Sequence, residues 1–88
     1  MSTPVSELPN LGPRSAEILR SAGITTLEQL RELGAVAAYV RAKRTGKNVS
    51  LNLLWALEGA ISGLPWQVVS REHRTSLLLA LESYERAV

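Results

Sequence analysis

An all-α fold, a compact bundle of about five short helices, is predicted by three features of this 88-residue sequence. Glycine and proline fall at intervals of helical length: Gly12-Pro13, Gly23, Gly34, Gly46, Gly63 and Pro65. Between them apolar residues recur at helix spacing, and no alternating strand pattern survives. Hydrophobic residues make up 45% and charged residues 20%, the balance of a globular chain rather than a disordered one.

The first helix is expected to open at Pro13, where the missing N–H would have had no intrahelical partner, and to end at Gly23. Ala16, Ile18, Leu19 and Ala22 supply its apolar stripe, with Arg14, Glu17 and Arg20 elsewhere on the surface. Two capping boxes compete for the start of the second helix, Thr25 with Glu28 or Thr26 with Gln29. Leu27, Leu30 and Leu33 then face inward. Gly34 separates this helix from a third, Ala35 to about Thr45, which has a basic end. Ser50 is expected to cap the fourth, Leu51 to Ser62, with Leu53, Leu54, Leu57 and Ile61 as its inward stripe. So little of that helix is polar that it belongs at the centre, touched on several sides. The last helix is expected to start at a Ser70 cap, with Glu72 in its first turn, and to reach Tyr84 or beyond. Its Leu77-Leu78-Leu79 run and Leu81 form a wider apolar face than one packing surface needs.

A chain of this length makes one domain, spanning 1–88, and hides only about 60–65% of its unfolded surface on folding. Cysteine is absent, which removes disulfides, thiolate nucleophiles and sulfur ligands and favours a reducing, cytoplasmic setting. The start of the chain does not resemble a signal peptide. The longest apolar run, Ala35 to Val40, is far short of the roughly 20 residues a bilayer requires, so no membrane partner is expected.

Charge is segregated along the chain. Arg41, Lys43, Arg44 and Lys47 lie in a stretch from Leu33 to Leu57 that has no acidic residue, while the remainder is slightly acidic. Such a patch suits a phosphate backbone or an acidic protein surface. It equally suits a solvated helix C-terminus, where cations are favoured by the dipole.

The segment from Leu8 to Leu33 carries most of the functional argument. Leu8-Pro9-Asn10-Leu11-Gly12-Pro13-Arg14-Ser15-Ala16 has the spacing of a helix-hairpin-helix turn. Backbone N–H groups of such a turn, with the positive end of the next helix, hold a phosphate oxygen without reading any base. Arg14 and Ser15 fall in that helix's first turn and add a charge and a hydroxyl. Pro13, however, has no N–H to donate, and Asn10 stands where nucleic-acid-binding versions more often have glycine. The turn therefore also reads as architecture alone, with binding moved to Arg41 through Lys47.

From Leu8 to Trp66 the chain resembles the C-terminal domain of TfoX (Sxy) proteins. The resemblance rests on Asn10-Leu11-Gly12-Pro13-Arg14-Ser15, Ala22-Gly23-Ile24-Thr25-Thr26, Leu33-Gly34-Ala35, Ala38-Tyr39 and the run Ser50-Leu51-Asn52-Leu53-Leu54-Trp55-Ala56-Leu57-Glu58-Gly59-Ala60. It implies a helical, helix-hairpin-helix-like domain from bacterial regulators of natural competence, which are held to act with the cyclic-AMP receptor protein at competence-gene promoters; the helix pattern read on its own also fits a SAM-like bundle. Full members of that family carry an N-terminal domain ahead of this one. The Asn-Leu-Gly-x-x-Ser turn is also similar to one in the C-terminal domain of the RNA polymerase α subunit that touches DNA. That similarity points to Asn10, Gly12, Arg14 and Ser15.

The remaining constellations are read conservatively. Trp55 is expected to anchor the core, and Tyr39 to pack despite its basic neighbours. Trp66 follows a Gly-Leu-Pro break and joins Leu77, Leu78 and Leu81 as a candidate protein-contact surface. His73 is the sole histidine and aspartate is absent, so neither a nucleophilic triad nor a zinc site is supported. No catalytic residue, metal or cofactor is expected. Glu58, in an apolar helix, is read as the partner of an arginine or a backbone donor. The expected function is a non-enzymatic regulatory domain whose partner is DNA, bound weakly and without sequence preference, or a transcription-related protein. A purely protein-binding module, including a homodimer, is the alternative.

Overall fold

Helix boundaries fall where the local chemistry places them. In the computed structural model, which describes residues 3–8, 10–46 and 48–87, a 3-10 turn at Val5–Glu7 is followed by six α-helices. These are α1 (Pro13–Ser21), α2 (Leu27–Leu33), α3 (Ala35–Arg44), α4 (Leu51–Ser62), α5 (Trp66–Glu72) and α6 (Arg74–Ala87). The fold is all-α, as predicted.

Proline opens α1 at its first position, and the helix closes in a Schellman turn. There Gly23 takes φ 83° and donates to the Arg20 carbonyl at 3.0 Å, while the Ile24 N–H reaches the Leu19 carbonyl at 2.8 Å. Leu19 and Ile24, the hydrophobic pair that accompanies such a turn, are both wholly buried. Of the two candidate caps for α2, the structure selects Thr26. Its Oγ1 accepts from Gln29 N at 3.2 Å, and the Gln29 side chain accepts from Thr26 N at 3.3 Å and from Thr25 N at 2.7 Å. Glu28 instead accepts from Thr3 N at 3.0 Å. Its own backbone N–H, then that of Thr3, hold its carboxyl below the usual range.

The start of the chain lies antiparallel beside the α1–α2 connection. Pro4 and Thr26 form an isolated bridge, Val5 N donates to Thr25 O at 3.0 Å, and Leu27 N donates to Thr3 O at 2.7 Å. This strap buries Val5 against the core.

The C-terminal region differs from expectation. In place of one helix starting at a Ser70 cap there are two, broken at His73. Ser70 lies inside α5, where its hydroxyl donates to the Gln67 carbonyl, and Glu72 ends α5 rather than opening its successor. His73 serves both helices: its N–H reaches the Val69 carbonyl at 2.9 Å, and its carbonyl accepts from Leu77 N at 3.0 Å. Wholly buried Val69 of α5 and buried Leu81 of α6, on either side of the break, both belong to one core.

As expected, α4 is central, packing against α2, α3 and α5. It contributes Leu53, Leu54, Trp55, Ala56, Leu57 and Gly59 to a single core cluster that also takes in residues from every other helix. The Cα radius of gyration is 11.8 Å, about the value expected for one compact domain of this length. Among the described residues, no helix is long and apolar enough to cross a membrane.

Candidate nucleic-acid interface

The hairpin turn before α1 is pinned from below by Leu8 and Leu11, both buried, with Leu11 N donating to Leu8 O at 3.1 Å. Asn10 is pinned from the side. Its Nδ2 donates to the Leu64 carbonyl at 2.8 Å, tying the turn to the α4–α5 connection. The amide lies over Gly59: a Cβ added there would sit 2.5 Å from Asn10 Nδ2 and 2.6 Å from Leu64 O. Glycine is required at 59 by this close approach. Asn10 thus has a structural partner, which accounts for an amide at a position where a glycine would leave Leu64 unpaired.

Above this anchor the first turns of α1 and α4 share a groove of about 460 Å³. Arg14 and Ser15 come from α1, Ser50, Asn52 and Leu53 from the start of α4, Asn48 from the preceding loop, and Trp66 from the start of α5. Neither helix start is capped by a side chain, and neither has an acidic residue in its first turn. Ser50 occupies the N-cap position of α4 as expected, but its hydroxyl makes no cap bond. Among the described residues, the backbone N–H groups of Arg14, Ser15, Leu51 and Asn52 find no acceptor outside their helices. First-turn residues of two helices without a side-chain cap thus line one groove, together with an exposed Arg14 that forms no ion pair among the described residues. Among the described residues, no carboxylate lines the groove. Glu17 enters only in a smaller adjoining depression of about 290 Å³, which shares Arg14, Ile18 and Asn48.

Gly12 is exposed and extended, with φ −79° and ψ 177° and open space around a would-be Cβ. Its conformation suits any residue. Of the hairpin residues singled out from sequence, Asn10, Arg14 and Ser15 line the groove.

Arg41, Lys43 and Arg44 of the basic run do not line the groove. Arg41 and Arg44 are exposed and three apart on α3, hence on one helix face. Lys43 points elsewhere, its Nζ 3.4 Å from Glu85 on α6 and 6.0 Å from the Tyr39 ring centroid. Lys47 lies outside the described residues. Tyr39 is 4% exposed and belongs to the core, as does Trp55.

The candidate protein-contact set separates too. Trp66, 37% exposed, stands in the groove with the hairpin residues rather than with the leucines of α6. Leu81 is in the core, and Leu77 and Leu78 are half-buried against it, which leaves Leu79 as the outward leucine, 60% exposed. Among the described residues, Glu58 pairs with neither an arginine nor a backbone donor but accepts from Ser62 Oγ at 3.2 Å. No group of three or more metal-ligating side chains is assembled among the described residues.

Asn48 and Asn52 escaped sequence reasoning. An asparagine in a loop and another in a first helical turn give no periodic signal. Only the packing of α1 against the rest of the bundle brings them to Arg14.

Comparison with known proteins places the chain in a family. DNA transformation protein TfoX of Haemophilus influenzae is 33% identical over 82 residues, 93% of this chain and 38% of the relative. DNA transformation protein TfoX1 of Aliivibrio fischeri is 30% identical over 73 residues, 82% of this chain and 35% of the relative. The chain thus spans well under half the length of these relatives. The crystal structure of an uncharacterized protein from Listeria monocytogenes matches with a TM-score of 0.80 and 32% identity over 94% of each chain. The family model for the TfoX C-terminal domain matches residues 1–81, and the chain belongs to that family.

Proposed function

We propose that this chain is a non-enzymatic binding domain that holds nucleic-acid phosphates at the α1–α4 groove. The observation that carries the reading is that the first turns of two helices without a side-chain cap line one groove with exposed Arg14, which has no ion pair among the described residues, and that no carboxylate among those residues lines it. Oriented N–H groups and one guanidinium suit a phosphate oxygen and carry no base preference, so affinity is weak and sequence-independent. The relatives named for DNA transformation support a role of this domain alongside DNA.

Anisotropy of a labelled nucleic acid at low salt tests the proposal. Binding is expected to weaken steeply with salt, and Arg14→Glu to lower affinity by an order of magnitude or so while making the salt slope shallower by about one unit. Glu17→Gln is expected to strengthen binding modestly. Loss in Arg41→Glu without loss in Arg14→Glu would move the site to α3, and no binding at high protein concentration would sink it.

A protein-binding role is favoured by one observation, the outward Leu79 on α6. Contact with a transcription-related protein or with a second copy would use this face and leave Arg14 unconstrained. Loss of a complex on Leu79→Glu but not on Arg14→Glu would support it.

A further inference from the structure

Resting on the phosphate reading of the α1–α4 groove, we infer that its ligand is an unpaired nucleotide of single-stranded nucleic acid, with the base stacked on Trp66. The groove is concave, and its volume of about 460 Å³ falls in the range of sites that enclose a small ligand. A duplex presents phosphate ridges to a protein while its base faces stay stacked inside. It has nothing to place against an indole on a groove wall. Trp66 is 37% exposed, whereas Trp55 is 4% exposed, so the chain does have room to bury a tryptophan and leaves this one open.

The polar lining points the same way. Asn48 and Asn52 are exposed and each offers an amide donor and a carbonyl acceptor, so they can meet the Watson–Crick edge of any base without selecting one. In a duplex that edge is already paired. An unpaired nucleotide can use all three parts: phosphate toward Arg14 and Ser15, base face on Trp66, base edge toward the asparagines. Glu17, beyond Arg14 in the adjoining depression, repels a second phosphate there, so the strand leaves the groove in the other direction.

The test compares a short labelled oligothymidylate with the same strand annealed to its complement, at low salt, on the full chain. The single strand is expected to bind more tightly and to quench tryptophan fluorescence. Trp66→Ala is expected to weaken single-strand binding roughly 5- to 150-fold, and Trp66→Phe, which keeps a stacking face, to restore most of it. With Trp55 as the remaining fluorophore, the Phe variant binds without the quench, a readout that a purely structural role for Trp66 would not produce. Helical circular dichroism of both variants checks that the fold is retained. If the duplex binds as well or better, and binding falls with Arg14→Glu but not with Trp66→Ala, the unpaired-nucleotide inference is overturned and the phosphate site stands. If neither form binds, both are lost.

Discussion

At the scale of single residues, the contact among Asn10, Gly59 and Leu64 is the most demanding in the molecule. Gly59→Ala places a methyl against a side-chain amide and a backbone carbonyl at once, and the carbonyl has no rotamer to escape into. Overpacking of this kind costs about 1–3 kcal/mol. Asn10→Ala leaves the Leu64 carbonyl without its donor, again at about 1–3 kcal/mol. Urea denaturation of the two single variants and the double variant is expected to give a double-variant loss smaller than the sum, because removing Asn10 clears one of the two atoms the methyl meets. Strict additivity would show that the two positions do not meet. None of this pairing was legible in the sequence. Asn10 was visible as a turn residue and Gly59 as a helical glycine, but 49 positions separate them and only the tertiary fold brings them together.

At the scale of elements, starts and stops were legible wherever a backbone-specific residue marks them. Pro13 opens α1, and α4 runs from Leu51 to Ser62 as its flanking Ser50 and Gly63 indicate. The break at His73 was not legible, because it contains neither glycine nor proline and is imposed by the packing of Val69 and Leu81. Hydroxyl residues were legible as candidate caps but not as bonded ones. Thr26 bonds Gln29 N, Ser50 bonds no backbone donor, and Ser70 is mid-helix. The consequence is measurable by thermal or urea unfolding. Thr26→Ala is expected to cost about 1 kcal/mol, the usual worth of an N-cap, whereas Ser50→Ala is expected to cost only a few tenths. Equal losses would show that Ser50 caps in solution.

At the scale of the whole molecule, one core cluster runs from Val5 in the strap to Leu81 in α6, so no part of the bundle has a core of its own. Unfolding is therefore expected to be a single cooperative step. Far-ultraviolet dichroism, reporting all six helices, and fluorescence of buried Trp55 should give coincident urea transitions. Separate midpoints would mean that α5 and α6 come away first. The periodicity of apolar residues anticipated this core well, down to α4 at its centre. Periodicity says nothing about how helices face one another, which is why Trp66 was grouped with the α6 leucines when the fold sets it beside Arg14.

The helix starts hold one more lesson, for anyone who would engineer this domain. A protein designer asked only for thermal robustness would begin with the open ends of α1 and α4, writing aspartate at positions 12 and 50. On stability alone those edits are favourable, since each supplies an acceptor and a charge suited to the dipole. Aspartate at 50 would also set a negative charge in the wall of the groove, which on the phosphate proposal lowers affinity. The complete side-chain cap stands instead on α2, which lines no part of the groove, so if the phosphate proposal holds, stability is forgone only where an added carboxylate would meet the proposed ligand.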